Sequence, residues 1–155
     1  MRLDEKLSAN FTLGEFLRSE TAARRGIDNT PPQELLRALE RTAVNLEDVR
    51  RLLGVSIHIS SGYRSLALNR AIGSKDSSAH VRGLAVDFDA PEYGAPADVC
   101  RAIYASDIQY DQLIFEHTWT HIAWPAAGTG ARRQTLTLLP GGTYIDGIVE
   151  RRAAA

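Results

Sequence analysis

A single cysteine, Cys100, stands in a chain of 155 residues, so no disulfide can close within it. It lies in the apolar-periodic stretch Val99-Cys100-Arg101-Ala102-Ile103, which reads as a packing position rather than a nucleophile. Long hydrophobic runs are absent too. Nothing approaches the ~20 consecutive apolar residues of a membrane-spanning helix, so membrane insertion is not expected. The first residues, Met1-Arg2-Leu3-Asp4-Glu5-Lys6, have no apolar core of the kind a secretory leader carries. The expectation is synthesis in a cytoplasm without a signal peptide. There is also no surplus of basic charge: 18 Lys and Arg stand against 19 Asp and Glu, a formal net charge of -1. Proteins that live on nucleic acid usually carry a clear basic excess, so nucleic acid is not an expected partner. The basic pairs Arg24-Arg25, Arg50-Arg51, Arg132-Arg133 and Arg151-Arg152 are scattered and read as solvated surface. Repeats and low-complexity segments are missing, and only Arg151 to Ala155 reads as a frayed tail.

What is present suits one globular domain over residues 1–155. Apolar residues make up 44% and charged residues 24%, enough to build a single core. Thr12-Leu13-Gly14-Glu15 reads as a capping box opening a short helix, and Ser19 to Arg25 as a second one closed by Gly26. From Pro32 to Leu53, Leu35, Leu36, Leu39, Ala43, Leu46, Val49, Leu52 and Leu53 recur at helical spacing and mark one buried stripe ended by Gly54. Val55 to Ser60 alternates as a strand does. A loop, Ser61 to Ser65, then leads to a short helix, Leu66 to Ile72, and a polar loop, Gly73 to Ala79. Leu84 to Phe88 reads as a buried strand and Ala95 to Tyr104 as a helix. Gln112 to Phe115 and His121 to Trp124 read as two strands around a short turn. Thr135 to Leu139 and Thr143 to Val149 read as late strands around Pro140-Gly141-Gly142. This order predicts an α+β domain with helices packed on a mostly antiparallel sheet.

The chemistry concentrates in Ser78-Ala79-His80-Val81-Arg82-Gly83-Leu84-Ala85-Val86-Asp87, where an aspartate follows a histidine by seven positions inside an apolar strand. A carboxylate there must be paired, hydrogen-bonded or on a metal. His121 lies in a second apolar strand. Two histidines and a carboxylate make a zinc set that leaves a fourth position open, although on spacing alone a structural reading of each residue is the commoner one.

Ser78-x-His80-x-x-Gly83-x-Ala85-x-Asp87 resembles the signature of the zinc D-Ala-D-Ala carboxypeptidase family. Ser61-Gly62-Tyr63-Arg64-Ser65 with Asn69 resembles that family's upstream segment. Asp111 to Glu116 and Trp119-x-His121 resemble its closing segment. Phe11-Thr12-Leu13-x-Glu15 and Asn29-x-Pro31-Pro32 resemble the lead-in of its phage-associated subgroup. The resemblance spans residues 10–135 and implies a hedgehog/DD-peptidase-like fold. It also implies one Zn2+ per chain on His80, Asp87 and His121, and a peptidase, expected to act as a monomer, on peptidoglycan stem peptides at a D-Ala bond, as carboxypeptidase or endopeptidase.

The general base departs from other branches of the family, because Thr118 and Trp119 stand where those branches place an acid or a histidine. Glu116 is the expected base, in a position resembling that of the zinc-site glutamate of the hedgehog relatives. Arg64 is expected to hold a substrate carboxylate, or else to pair with Asp76. Ser78 is expected to orient a ligand or substrate, or to cap its loop, and Trp119 to wall the cleft. His117 reads as a turn residue and His58 as a half-buried structural histidine. The subgroup resemblance places the activity at the cell wall, after phage-type release or on a virion. The competing expectation is a non-catalytic, zinc-stabilised binding module or virion part of the same fold.

Overall fold

The computed structural model describes residues 1–150; the tail expected to fray, Arg151 to Ala155, lies outside them. Two short helices come first, α1 (Leu13–Leu17) and α2 (Glu20–Arg25). In α1 the Thr12 N–H donates to Glu15 Oε2 at 2.7 Å, the return half of the expected capping box. Ser19 caps α2 by accepting from the Ala22 N–H, and Gly26 closes it at φ 64°. The long helix begins later than its apolar pattern. Pro32 opens a 3-10 turn, Gln33–Leu35, and α3 proper runs Leu36–Leu53. Its buried stripe is Ala38, Leu39, Thr42, Ala43, Leu46, Val49 and Leu53. Leu52 is outside the stripe and 42% exposed, because Leu53, one step further around the helix, takes the inward place.

The remaining elements are β1 (His58–Ser61), α4 (Leu66–Ala71), β2 (Ala85–Asp89), α5 (Pro96–Tyr104), β3 (Gln112–Phe115), β4 (Thr120–Ala123), β5 (Gln134–Leu138) and β6 (Tyr144–Asp146). The strands form one six-stranded sheet in the order β1-β2-β4-β3-β5-β6. Every pair is antiparallel except β3 with β5. The α+β architecture with a mostly antiparallel sheet is thus the one the sequence pattern predicts. Among the described residues no helix is long and apolar enough to cross a membrane.

Alternation along the strands separates two faces. Val86, Phe88, Leu113, Phe115 and Ile122 point to one side and join Leu39, Leu46 and Val49 of α3 and Val99, Cys100 and Ile103 of α5 in the core. Full burial of each such side chain contributes about 1.5–3 kcal/mol, so this face fixes which way every strand is turned. Cys100 is completely buried, and burial pushes its thiol up to about 11, in keeping with a packing role. One basic pair is not the solvated surface expected. Arg133 lies over the Tyr110 ring at 4.6 Å and donates to the carbonyls of Ile108, Tyr104 and Ser106, tying the start of β5 to the end of α5.

α1 closes the β1 end of the sheet. The Tyr63 N–H donates to Phe16 O at 2.8 Å, and the backbones meet so closely at Gly62 that a Cβ there would lie 2.6 Å from Phe16 O and 2.8 Å from Phe16 Cα. Both are backbone atoms with nowhere to rotate. Gly62→Ala is therefore expected to cost about 1–3 kcal/mol, the range for overpacking, and to lower the melting temperature of the metal-free protein by several degrees. Gly130→Ala, where a Cβ meets nothing within 4 Å, is the matched control and should be near neutral. Equal melting temperatures for the two variants would show that the α1–β1 contact is loose.

Candidate metal centre and cleft

One rung of paired residues crosses the whole sheet: Ser61, Asp87, His121, Ile114, Leu136 and Asp146. Directly paired residues project to the same face, and here it is the face that α3 and α5 leave uncovered. Asp87 and His121 are therefore brought together by strand register alone, with His121 Nδ1 2.8 Å from Asp87 Oδ1. His80 arrives from the preceding loop. That loop is turned back on itself by bonds from the Gly83 N–H to His80 O and the Leu84 N–H to Ala79 O. Gly83 takes φ 69° with its missing Cβ facing Leu39, a conformation and a close approach that suit glycine at this tight turn. Its carbonyl accepts from the buried Thr42 hydroxyl at 2.7 Å, which pins the loop to α3.

The protonation logic of the three groups fits a cation. His80 is 1% exposed. Its Nδ1 is 2.6 Å from Gly62 O, and a carbonyl can only accept, so the proton sits on Nδ1. Nε2 is then a bare lone pair, and it points at Asp87 Oδ1 from 3.2 Å. Burial drives His80 toward the neutral form, against the pull of Asp87. Burial alone would raise the Asp87 carboxyl, but the imidazoles beside it reverse this and hold it below the usual carboxylate range. A lone pair facing a carboxylate in a buried site is unfavourable unless a positive charge lies between them. One donor atom from each of His80, Asp87 and His121 lies within 4.8 Å of the others. Two imidazole nitrogens and a carboxylate oxygen are a donor set suited to zinc, and the Gly62 carbonyl supplies the outer contact that orients the first histidine.

The other expected site residues gather around this centre. Glu116 follows β3 on the same face as Ile114, one diagonal from His121, where residues stand roughly 7–8 Å apart. His117 at φ 65° makes the turn that returns the chain. Its Nε2 is 2.7 Å from Leu138 O, so it is the turn residue expected and lies apart from the metal donors. Trp119 lines the cleft beside Glu116, and its Nε1–H donates to Glu116 Oε2 at 2.8 Å. Burial, then the charge of Asp87, pushes the Glu116 carboxyl above its ordinary range. Arg64 does not pair with Asp76, which Arg70 holds through two bonds of 3.0 and 2.8 Å. Among the described residues its only side-chain bond is a long one, Nη2 to Ser78 Oγ at 3.4 Å, and its buried Nε has no partner there. Ser78 Oγ also accepts from the His80 N–H at 3.3 Å. His58 is exposed rather than half-buried and pairs with Asp89 at 3.0 Å.

Sequence reasoning missed several cleft residues. Ile114 and Leu136 form an apolar floor beside His121. Gln112 and Gln134 sit two residues along the same strands, joined at 2.8 Å. Tyr144 reaches the cleft from β6, and nothing in a half-exposed tyrosine after a Gly-Gly turn announces that. The cleft measures about 670 Å³. A second cleft of about 560 Å³ opens on the β1 side, and Arg64 and Asp87 border both. The centre thus lies where two grooves meet.

Zinc titrated into metal-free protein should bind at about one equivalent and raise the melting temperature. His121→Ala should abolish both effects, because the carboxylate and the bare His80 nitrogen lose their shared partner. An unchanged zinc isotherm in His121→Ala would place the metal elsewhere.

No curated protein matches the chain. The sequence model of the family described as Peptidase M15 matches residues 9–123. That span contains all three candidate ligands, Glu116, Trp119, Arg64 and Ser78, and it ends at the last residue of β4. The chain belongs to the Peptidase M15 family, the zinc D-Ala-D-Ala carboxypeptidase-like peptidases.

Proposed function

We propose that this chain is a zinc-dependent peptidase that hydrolyses peptidoglycan stem peptides at a D-Ala bond. The observation that carries the reading is Glu116. It is a carboxylate oriented by the Trp119 indole, on the uncovered sheet face and diagonal to His121. A zinc site that served stability alone would not need a basic group in that position.

When bound by His80, Asp87 and His121, zinc supplies Lewis-acid polarisation of a carbonyl and makes water more acidic. The remaining work falls to the chain's own groups. Trp119 occupies Glu116 Oε2, which leaves Oε1 to take a proton from the attacking water. The water oxygen bonds to the scissile carbonyl carbon, the C–N bond breaks, and protonated Glu116 returns the proton to the leaving amine. Arg64, a half-buried guanidinium with no carboxylate partner among the described residues, holds a substrate carboxylate so that the scissile bond lies over the site. Trp119 and the Ile114–Leu136 floor exclude water around a small apolar side chain such as the methyl of D-Ala. Ser78 steadies both Arg64 and the His80 backbone. Cell-wall lysis or remodelling, after phage-type release or from a virion, is the setting this chemistry suits.

The test is digestion of purified muropeptides by the zinc-loaded protein, followed by mass spectrometry, beside Glu116→Gln. The parent should release D-Ala or split a D-Ala crosslink, and a chelator should stop it. Glu116→Gln should keep its zinc and its fold while turnover falls about 10²–10⁴-fold. The ionised carboxylate is the working form, so parent activity should fall as pH drops through the Glu116 pKa, and the residual activity of the variant should lack that limb. Full activity in Glu116→Gln would mean that another group is the base. A zinc-loaded parent that cleaves no D-Ala-containing fragment would instead favour a binding module.

A further inference from the structure

The walls of the cleft are charged in a way the reaction does not require. The whole chain has a net charge of -1. Yet four cationic side chains, Arg64, Lys75, Arg82 and Arg132, line this one cleft, against the carboxylates of Asp87 and Glu116. Of the two neighbouring acids, Asp76 and Asp111, one offsets a single member of this set. Asp76, next to Lys75, is held by both arms of Arg70. Asp111, at the start of β3, is held by Arg132 through bonds of 2.9 and 2.8 Å. Among the described residues Arg64, Lys75 and Arg82 form no ion pair. Arg64 adjoins the metal donors through Ser78, but Arg82 does not belong to that group.

Arg82 lies at a definable end of the cleft. It immediately precedes the turn into β2, whose first residue, Ala85, pairs with Ala123, which in turn pairs with Gln112, itself paired with Gln134. Its charge reaches Asp111, whose carboxyl Arg132 first and Arg82 with it hold below the usual range. The Gln112–Gln134 rung is two residues from the His121–Ile114 rung, or ~7 Å at a rise of ~3.3 Å per residue. Two amides that far from the metal donors along an apolar floor, with the long Arg82 side chain at the same end, suit an extended peptide whose carboxylate lies more than two residues from its scissile bond. Unpaired cations on the wall of a cleft also focus the field on an incoming anion.

We propose that Arg82, with the Gln112–Gln134 amide pair, forms a subsite for a second substrate carboxylate, remote from the bond that is cut and separate from the group held by Arg64. Resting on the peptidase reading above, this narrows the substrate class to acidic stem peptides, those whose D-Glu α-carboxyl is free rather than amidated. Arg82 determines specificity and takes no part in the proton transfers.

The probes are two peptides, L-Ala-γ-D-Glu-L-Lys-D-Ala-D-Ala and its counterpart with the D-Glu α-carboxyl as the amide. Each is prepared both with a normal D-Ala-D-Ala amide and with a ketomethylene isostere there, so that binding is read without turnover. Calorimetry on zinc-loaded protein should show the parent binding the acid isostere roughly two- to fivefold more tightly than the amide, the range for a charge pair at a solvent-accessible site. Arg82→Ala should bring the ratio near one, Arg82→Lys should keep part of it, and Arg82→Glu should invert it. An acid-to-amide ratio unchanged across these variants overturns the subsite, and so does a parent that binds neither isostere. The two readings fail separately. A parent that cleaves both normal peptides equally well keeps the peptidase and loses the subsite. One that prefers the acid isostere through Arg82 but cleaves neither peptide keeps the subsite and loses the peptidase.

Discussion

The bare nitrogen of His80 facing the ionised oxygen of Asp87 is the constraint around which the rest of the molecule is arranged. Neither group can relieve the contact by itself. Protonating His80 at Nε2 would bury a charge, and its other nitrogen is committed to the Gly62 carbonyl at 2.6 Å. Turning Asp87 away would break its contact with His121 at 2.8 Å. A lone pair and a carboxylate held this close in a low-dielectric site cost energy until a cation joins them. The fold therefore stores the shape of a metal site in its backbone and leaves the metal to stabilise it.

Two parts of the architecture hold that shape. Strand register sets Asp87 and His121 opposite each other, and the apolar alternation of β2 and β4 locks the register, since a slip of one residue would turn Asp87 into the core and Val86 out of it. The loop that delivers His80 is tied at three places: to α3 through Thr42 and Gly83, to β2 through its own turn, and to the segment after β1 through Gly62. The same Gly62 is pressed against Phe16, so packing of α1 on the sheet and orientation of a metal donor meet at one residue. Helices α3 and α5 cover one sheet face, and the row that carries the chemistry lies on the other.

Much of this was legible in the sequence, and the limits have physical causes. The apolar runs around Asp87 and His121 identified carboxylate and histidine as strand residues on a buried sheet. The Ser78–Asp87 motif and the Ser61–Ser65 segment named the family, and the site model rests on residues those motifs contain. Strand order was not legible. β4 inserts between β2 and β3, and β5 runs parallel to β3, and such non-local pairings leave no local pattern. The Ile114–Leu136 floor, the Gln112–Gln134 pair and the presence of Tyr144 in the cleft all depend on that order. Arg133 was misread for a related reason, because its ring and carbonyl partners are 23 to 29 positions away in the chain.

The central claim concerns where the cation sits and which atoms hold it. A crystal structure of the zinc-loaded protein, with anomalous differences measured at the zinc edge, tests it most directly. The account predicts one strong peak on the uncovered sheet face, at bonding distance of about 2.0–2.2 Å from His80 Nε2, an Asp87 carboxylate oxygen and a His121 ring nitrogen, with His80 Nδ1 still on the Gly62 carbonyl. A peak at another site, such as the exposed His58–Asp89 pair, with the His80–Asp87 contact unchanged, would contradict it.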